Sequence, residues 1–299
     1  MSDPDALHAH ALDLLVQGDT AGGISDLKAY LAVEPEDAEA WFELGTAYAS
    51  IGHWIQAADA LRASIDLDGS EPEVRLGYAR ALVQLKKIDD AAFQLIQAQK
   101  LAPEDARITR ELGLVFYDKK LYEKAALWLG RAAAAQPGEA RTHYALGLAH
   151  EARRDMGAAL AAYREAVQRD PGLADAHRTL ADALASMGEH EAAITELGAL
   201  LTIEPHNEQA AKNREVLARA LEEMRAQRML GKGTTELEAS ALLSEGGFRK
   251  KGPIEDAGAP PGGMTVRFTA PLVEIDARLD QAQAIQGLFL RFTDPDRAA

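Results

Sequence analysis

Residues 38–71 read AEAWFELGTAYASIGHWIQAADALRASIDLDGSE, and this arrangement of small and large residues returns every 34 positions. Pro35, Gly69, Pro103, Pro137, Pro171 and Pro205 mark the period without slippage. A fixed spacing of that length means one structural unit copied in tandem. Placing these six residues at position 32 sets the repeats at 4–37, 38–71, 72–105, 106–139, 140–173 and 174–207.

The frame sorts the side chains by size. Position 8 holds Ala11, Gly45, Ala79, Gly113, Gly147 and Ala181, and position 20 holds Gly23, Ala57, Ala91, Ala125, Ala159 and Ala193. Helices approach closely where side chains are small, so both positions are expected to mark crossings. Position 24 supplies bulk, with Leu27, Leu61, Leu95, Leu129, Tyr163 and Leu197. Each repeat divides into two amphipathic runs, each long enough for about 20 Å of helix. The break falls near position 15, which is Gly18, Gly52 and Gly188 in three repeats, a residue suited to a helix C-terminus. Proline at position 32 stops the second run. Acidic residues such as Glu36-Asp37, Glu104-Asp105 and Asp175 then open the next helix, where negative charge is favoured.

The pattern resembles the tetratricopeptide repeat family. Repeat 2 carries it best, through Trp41, Leu44, Gly45, Tyr48, Ala57 and Leu61, and repeats 4 and 5 carry it through Leu112-Gly113 and Leu146-Gly147. Repeats 1 and 3 depart from it at Gly23, Tyr30 and Ala79. The resemblance implies an all-α fold. Six antiparallel helix pairs would stack into a right-handed superhelical solenoid whose first helices line a concave groove.

Composition agrees with a packed array. Of 299 residues 47% are apolar, and no run is long and apolar enough for a membrane span. The net charge of −15 argues against nucleic-acid binding. The N-terminal stretch lacks the basic start of a secretory signal, so the expected location is cytoplasmic by default, while the absence of cysteine excludes disulfides and thiol chemistry without identifying a compartment. Neither a Gly-rich phosphate loop nor a metal-ligand spacing is present, so no enzyme activity, cofactor or metal is expected. His143 and His177 share position 4 with Trp41 and are read as packing residues rather than ligands.

Beyond the array, 208–245 reads as a capping helix and a short helix, and 246–263 as a Gly/Pro-rich flexible linker. The tail, 264–299, repeats one motif. Val266-Arg267-Phe268-Thr269-Ala270-Pro271 returns as Leu290-Arg291-Phe292-Thr293-Asp294-Pro295. Each copy reads as a short strand, and residues 272–286 between them as a helix. The motif is either a small hairpin-like element or a pair of docking strands for a sheet edge, centred on Arg267, Phe268, Arg291 and Phe292.

The resemblance assigns positions 2, 5, 9, 12 and 13 of the first helices to the groove. In this chain they include Leu12, Leu15, Phe42, Leu76, Arg80 and Val83, then Arg107, Arg110, Tyr117, Arg141, Tyr144, Leu148 and Arg178. Such a surface suits a peptide with apolar anchors and acidic groups, unless the arginines pair with Glu111, Glu151, Asp118 and Asp182 beside them. A carboxylate clamp of the kind some family members use for chaperone tails is absent, since its places hold His8, Leu12 and Glu43. A second surface is a basic edge of Lys86, Lys87, Lys119, Lys120, Arg153 and Arg154. The chain is therefore read as a scaffold or adaptor for other proteins. A targeting adaptor with its specificity in the tail, or a self-assembling scaffold forming a homo-oligomer, remains open.

Overall fold

A computed structural model describes residues 3–229, 249–254, 264–270, 273–279 and 285–292. The chain divides into two compact units, Met1–Pro171 and Gly172–Ala299. The first unit is five helix pairs, one per repeat. These are α1 (Pro4–Val16) with α2 (Thr20–Leu31), α3 (Ala38–Ser50) with α4 (Trp54–Leu67), α5 (Pro72–Gln84) with α6 (Ile88–Leu101), α7 (Ala106–Asp118) with α8 (Tyr122–Ala135), and α9 (Ala140–Ala152) with α10 (Met156–Arg169). Each second helix also packs on the first helix of the following repeat within the unit.

Local chemistry fixes the ends of these helices. The carboxylates of Asp19, Asp37 and Asp105 accept backbone N–H bonds from Gly22, from Glu39 and Ala40, and from Arg107, capping α2, α3 and α7. At the other end of each first helix, position 15 has positive φ. Gly18 and Gly52 lie at +87° and +76°, while Lys86, Lys120 and Arg154 lie at +62°, +58° and +63°. The bonds that follow are the same each time. The Gly18 N–H bonds to the Leu15 carbonyl and that of Asp19 to Leu14, matched by Lys86 to Val83 and Lys87 to Leu82. This double closure satisfies the last carbonyls of the helix.

The two helices of a pair meet where the frame places small against large. A methyl added at Gly45 would lie 2.5 Å from Leu61 Cγ, and one at Gly113 the same distance from Leu129 Cγ. At Gly147 it would enter the Tyr163 ring. Leu61, Leu129 and Tyr163 are fully buried or nearly so. One core cluster joins Leu76, Leu82, Leu95, Ile108, Leu112, Phe116 and Leu129 with Ala145 and Ala149 across three repeats.

Position 4 ties neighbouring repeats together by a further device. Trp41 Nε1 donates to the Pro35 carbonyl at 2.9 Å, Arg75 Nε to Gly69 at 3.1 Å, and His143 Nε2 to Pro137 at 3.0 Å. Three different side chains thus satisfy the carbonyl at position 32. At the second of these sites position 32 is Gly69 instead of proline, and a methyl there would lie 2.6 Å from Arg75 Nη2.

The second unit contains α11 (Ala174–Ser186), α12 (His190–Ile203) and α13 (Glu208–Met229). It also has four strands, β1 (Arg249–Ile254), β2 (Met264–Ala270), β3 (Val273–Leu279) and β4 (Ile285–Phe292), in an antiparallel sheet of order β1-β2-β3-β4. Helix α13 is long, and the short helix expected after it lies outside the described residues. Two expectations for the tail need correction. Residues 249–254 of the expected linker form β1, and 273–279 form β3 rather than a helix. Alternation of Val273, Ile275 and Ala277 with Glu274, Asp276 and Arg278 is a period-two pattern, which suits a strand. The duplicated motif makes β2 and β4, which flank β3 instead of pairing with each other.

The crossing at Gly147 has a measurable consequence. Alanine favours a helix over glycine by about 1 kcal/mol, but overpacking costs about 1–3 kcal/mol. Gly147→Ala is expected to lower unfolding free energy by about 1–2 kcal/mol in urea titrations. Gly130→Ala, in α8 where an added methyl meets nothing within 4 Å, is expected to raise it by about 1 kcal/mol.

Candidate functional site

A hollow in the first unit lies between α3 and α5. A cavity of about 530 Å³ is lined by Phe42, Thr46, Ala49 and Ser50 from α3, and by Glu73, Gly77, Arg80, Ala81, Val83 and Gln84 from α5. Trp54, Leu61 and Glu111 complete it. A second hollow of about 370 Å³ adjoins it, sharing Phe42 and Glu73 and adding Glu39, Asp68 and Glu71 to the rim. Phe42 therefore stands between two hollows, half-buried and without a ring partner among the described residues. Apolar walls with a few polar groups are what a small side chain or peptide segment requires.

The arginines expected to receive acidic groups are mostly engaged. Arg80 pairs with Glu111 at 3.1 Å. Arg107 meets Glu73 and Asp105, each at 2.8 Å, and Arg110 meets Glu139 at 3.2 Å and Glu111 at 3.6 Å. Arg178, on α11 in the second unit, pairs with Asp175. Of the carboxylates expected as partners, Glu111 serves Arg80 and Arg110, whereas Glu151 accepts the Tyr163 hydroxyl at 2.5 Å. Arg141 is exposed and forms no ion pair among the described residues.

These pairs shift the groups involved. The hydrogen bond from Arg107 holds the Asp105 carboxyl below the ordinary carboxylate range, and Asp105 in turn raises the guanidinium of Arg107. Burial pushes the Tyr117 hydroxyl up, with Tyr122 alongside at a ring separation of 5.4 Å. Burial, followed by the bond to Glu151, pushes Tyr163 up further. The Tyr144 ring lies tilted against that of Tyr163 at 5.9 Å, and Leu148 is half-buried on the same helix as Tyr144.

Leu76 is corrected from groove to core. It is 0% exposed and belongs to the cluster containing Ile108 and Leu112. Conversely, Thr46, Ala49, Ser50 and Gln84 line the cavity although their small or neutral side chains drew no notice in the sequence. Positions 9, 12 and 13 of the frame were the signal that could have found them. Gly77 adds room by omission, since its missing side chain leaves the floor beside Phe42 open.

The basic edge divides into two kinds of residue. Lys119 pairs with Asp89 of the preceding repeat, and Arg153 with Glu123 of its own preceding repeat at 3.0 Å. Lys86, Lys87, Lys120 and Arg154 are exposed. In the tail, Arg267 stands opposite Asp276 and Phe268 opposite Ile275, while Arg291 stands opposite Glu274 and Phe292 opposite Val273.

Family models described as tetratricopeptide repeat match residues 8–72, 46–98 and 76–140, and a further one matches 150–220. The chain belongs to the tetratricopeptide repeat family. A curated relative, BBSome complex member BBS4 of Bos taurus, is 26% identical over 197 residues, which are 62% of this chain and 38% of that protein. The chain thus spans well under half the length of that relative. Among solved structures, MamA protein aligns with TM-score 0.54 at 23% identity over 56% of this chain and 91% of its own. PilW, a type IV pilus biogenesis factor, aligns at 0.62 and 17% over 71% and 98%. YrrB, described as having an unusual peptide-binding site, aligns at 0.53 and 19% over 63% and 97%. At these identities the likeness is one of fold. Tetratricopeptide repeat scaffolds are generally protein-interaction modules and typically not enzymes. No helix among the described residues is long and apolar enough to cross a membrane.

The Asp105–Arg107 contact makes a pH-dependent contribution. A carboxyl whose folded value is depressed stabilises above its unfolded value, near ~3.9, and that stabilisation is lost as pH falls through the folded value. Arg107 is half exposed, so screening limits the effect to about 0.5–1 kcal/mol. Asp105→Asn keeps a competent cap. It should lower the urea midpoint at pH 7, and the deficit should shrink as pH falls below the unfolded value and through the depressed folded one, as chemical denaturation across acid pH would show.

Proposed function

We propose that the concave face of the first unit receives a peptide segment of a partner protein, with an apolar side chain seated beside Phe42. The cavity between α3 and α5 carries this reading. Its walls are apolar, it opens onto the surface that resemblance assigns to ligands, and its charged rim offers both signs. Because Arg80, Arg107 and Arg110 are already neutralised by Glu111, Glu73, Asp105 and Glu139, affinity comes chiefly from apolar anchoring. Acidic groups on the peptide have Arg141 to meet, at the far end of the unit. The chain in this reading is a scaffold or adaptor.

A second reading draws on the sheet. Strand β4, which holds Arg291 and Phe292, is at its edge and presents one side for addition of a partner strand. Such a site would give the tail its own specificity.

Peptides selected from a random library on the full chain test the first reading. Phe42→Ala is expected to weaken the selected peptides by about tenfold or more, the loss typical of an anchor residue. Arg80→Glu, which removes the ion pair to Glu111 and adds a carboxylate to the rim, is expected to weaken acidic peptides more than neutral ones. Deleting 246–299 should leave these affinities unchanged. Affinity that survives Phe42→Ala and disappears with the tail would favour the edge strand.

A further inference from the structure

Position 15 has one backbone conformation in all six repeats but two kinds of residue. Gly18, Gly52 and Gly188 occupy it in repeats 1, 2 and 6, and Lys86, Lys120 and Arg154 in the three consecutive repeats between them. Positive φ is sterically free for glycine and disfavoured for a residue with Cβ. Space is not what selects glycine, since a methyl at Gly18 or Gly188 would meet nothing within 4 Å. Three long cations therefore sit where the dihedral favours glycine.

A cation near the C-terminus of a helix is ordinarily explained by the helix dipole. In repeats 4 and 5, Lys119 and Arg153, one residue earlier, already meet that need and are tied to Asp89 and Glu123 as links between repeats, whereas repeat 3 has Leu85 at that place. Lys86, Lys120 and Arg154 are exposed and form no ion pair among the described residues. Lys87 stands beside Lys86 in the same condition. None of the four lines the groove hollows.

The charge around this ridge differs from that of the rest of the chain. Residues 1–71 contain fourteen acidic and two basic side chains, whereas 72–171 contain thirteen acidic and sixteen basic. The ridge thus stands on the basic stretch of an acidic protein. An extended polyanion such as nucleic acid, or a broad anionic membrane, would also face the acidic repeats. A short acidic polypeptide meets the ridge alone.

We propose that Lys86, Lys87, Lys120 and Arg154 dock an acidic segment of a partner protein along the turn edge of repeats 3–5, independently of the groove. Arg154 can hold a carboxylate with two hydrogen bonds, and the lysines act as point charges.

The test exploits the backbone. Lys86→Gly, Lys120→Gly and Arg154→Gly together remove the charges while relieving the dihedral, so the thermal midpoint should be unchanged or higher. The corresponding triple asparagine variant, which also tolerates positive φ, serves as the second form. A fluorescent oligo-glutamate peptide is titrated by anisotropy against the full chain. Both triple variants are expected to bind it about tenfold more weakly than wild type, the effect of losing three exposed pairs. A control with Arg62→Gln, Lys100→Gln and Arg131→Gln, equal in charge lost, is expected to stay within about twofold. Equal affinity of wild type and ridge variants overturns the proposal, as does an equal loss in the control. Ridge-dependent sedimentation with phosphatidylserine vesicles, without oligo-glutamate binding, would also overturn it.

Discussion

A steric fit between position 8 and position 24 governs every helix pair whose glycines report it. Gly45 lies under Leu61, Gly113 under Leu129 and Gly147 under Tyr163, each too close for another carbon without displacement. The fit fixes the separation and rotation of the two helices. Rotation in turn decides which positions of the first helix face outward on the concave side. The cavity at Phe42 is downstream of that constraint, for most of its lining comes from α3 and α5, and Leu61 of the crossing itself forms part of it.

Electrostatics then divides the surface by use. Groove arginines are spent on holding neighbouring repeats, as Arg80 on α5 does with Glu111 on α7, and Arg107 on α7 with Glu73 on α5. Lys119 and Arg153 do the same along the turn edge. What these links leave is a hollow between α3 and α5 and four exposed cations at the turns inside repeats 3–5, two surfaces with different chemistry. The carbonyl at position 32 illustrates the same economy, since tryptophan, arginine and histidine each reach it.

The period made much of this legible. Small residues at positions 8 and 20, and the break at position 15, follow from backbone approach and helix closure, which a one-dimensional pattern records. Side-chain reach is not so recorded. Leu76 shares position 5 with Phe42, yet the leucine is taken into the core with Ile108 while the phenylalanine remains half-buried beside a hollow. Arginine partners were legible in part, for Glu111 does serve Arg80 and Arg110. The long side chains also reach across to adjacent helices, where Glu73 and Glu139 receive Arg107 and Arg110. Between the two tail motifs, the acidic and apolar residues of 273–279 alternate with period two, but an absent turn signal allowed a helix to be read there. The positive φ at Lys86, Lys120 and Arg154 left no trace in residue type, because lysine and arginine give no hint of a left-handed backbone.

If the crossing fit is the constraint on which the repeats depend, its two sides must be energetically coupled. A double-mutant cycle on Gly147→Ala and Tyr163→Leu, followed by urea denaturation, measures this directly. The account predicts that Gly147→Ala costs less when residue 163 is the leucine found in the other repeats, with a coupling energy of about 1 kcal/mol. Additive effects of the two substitutions would contradict it.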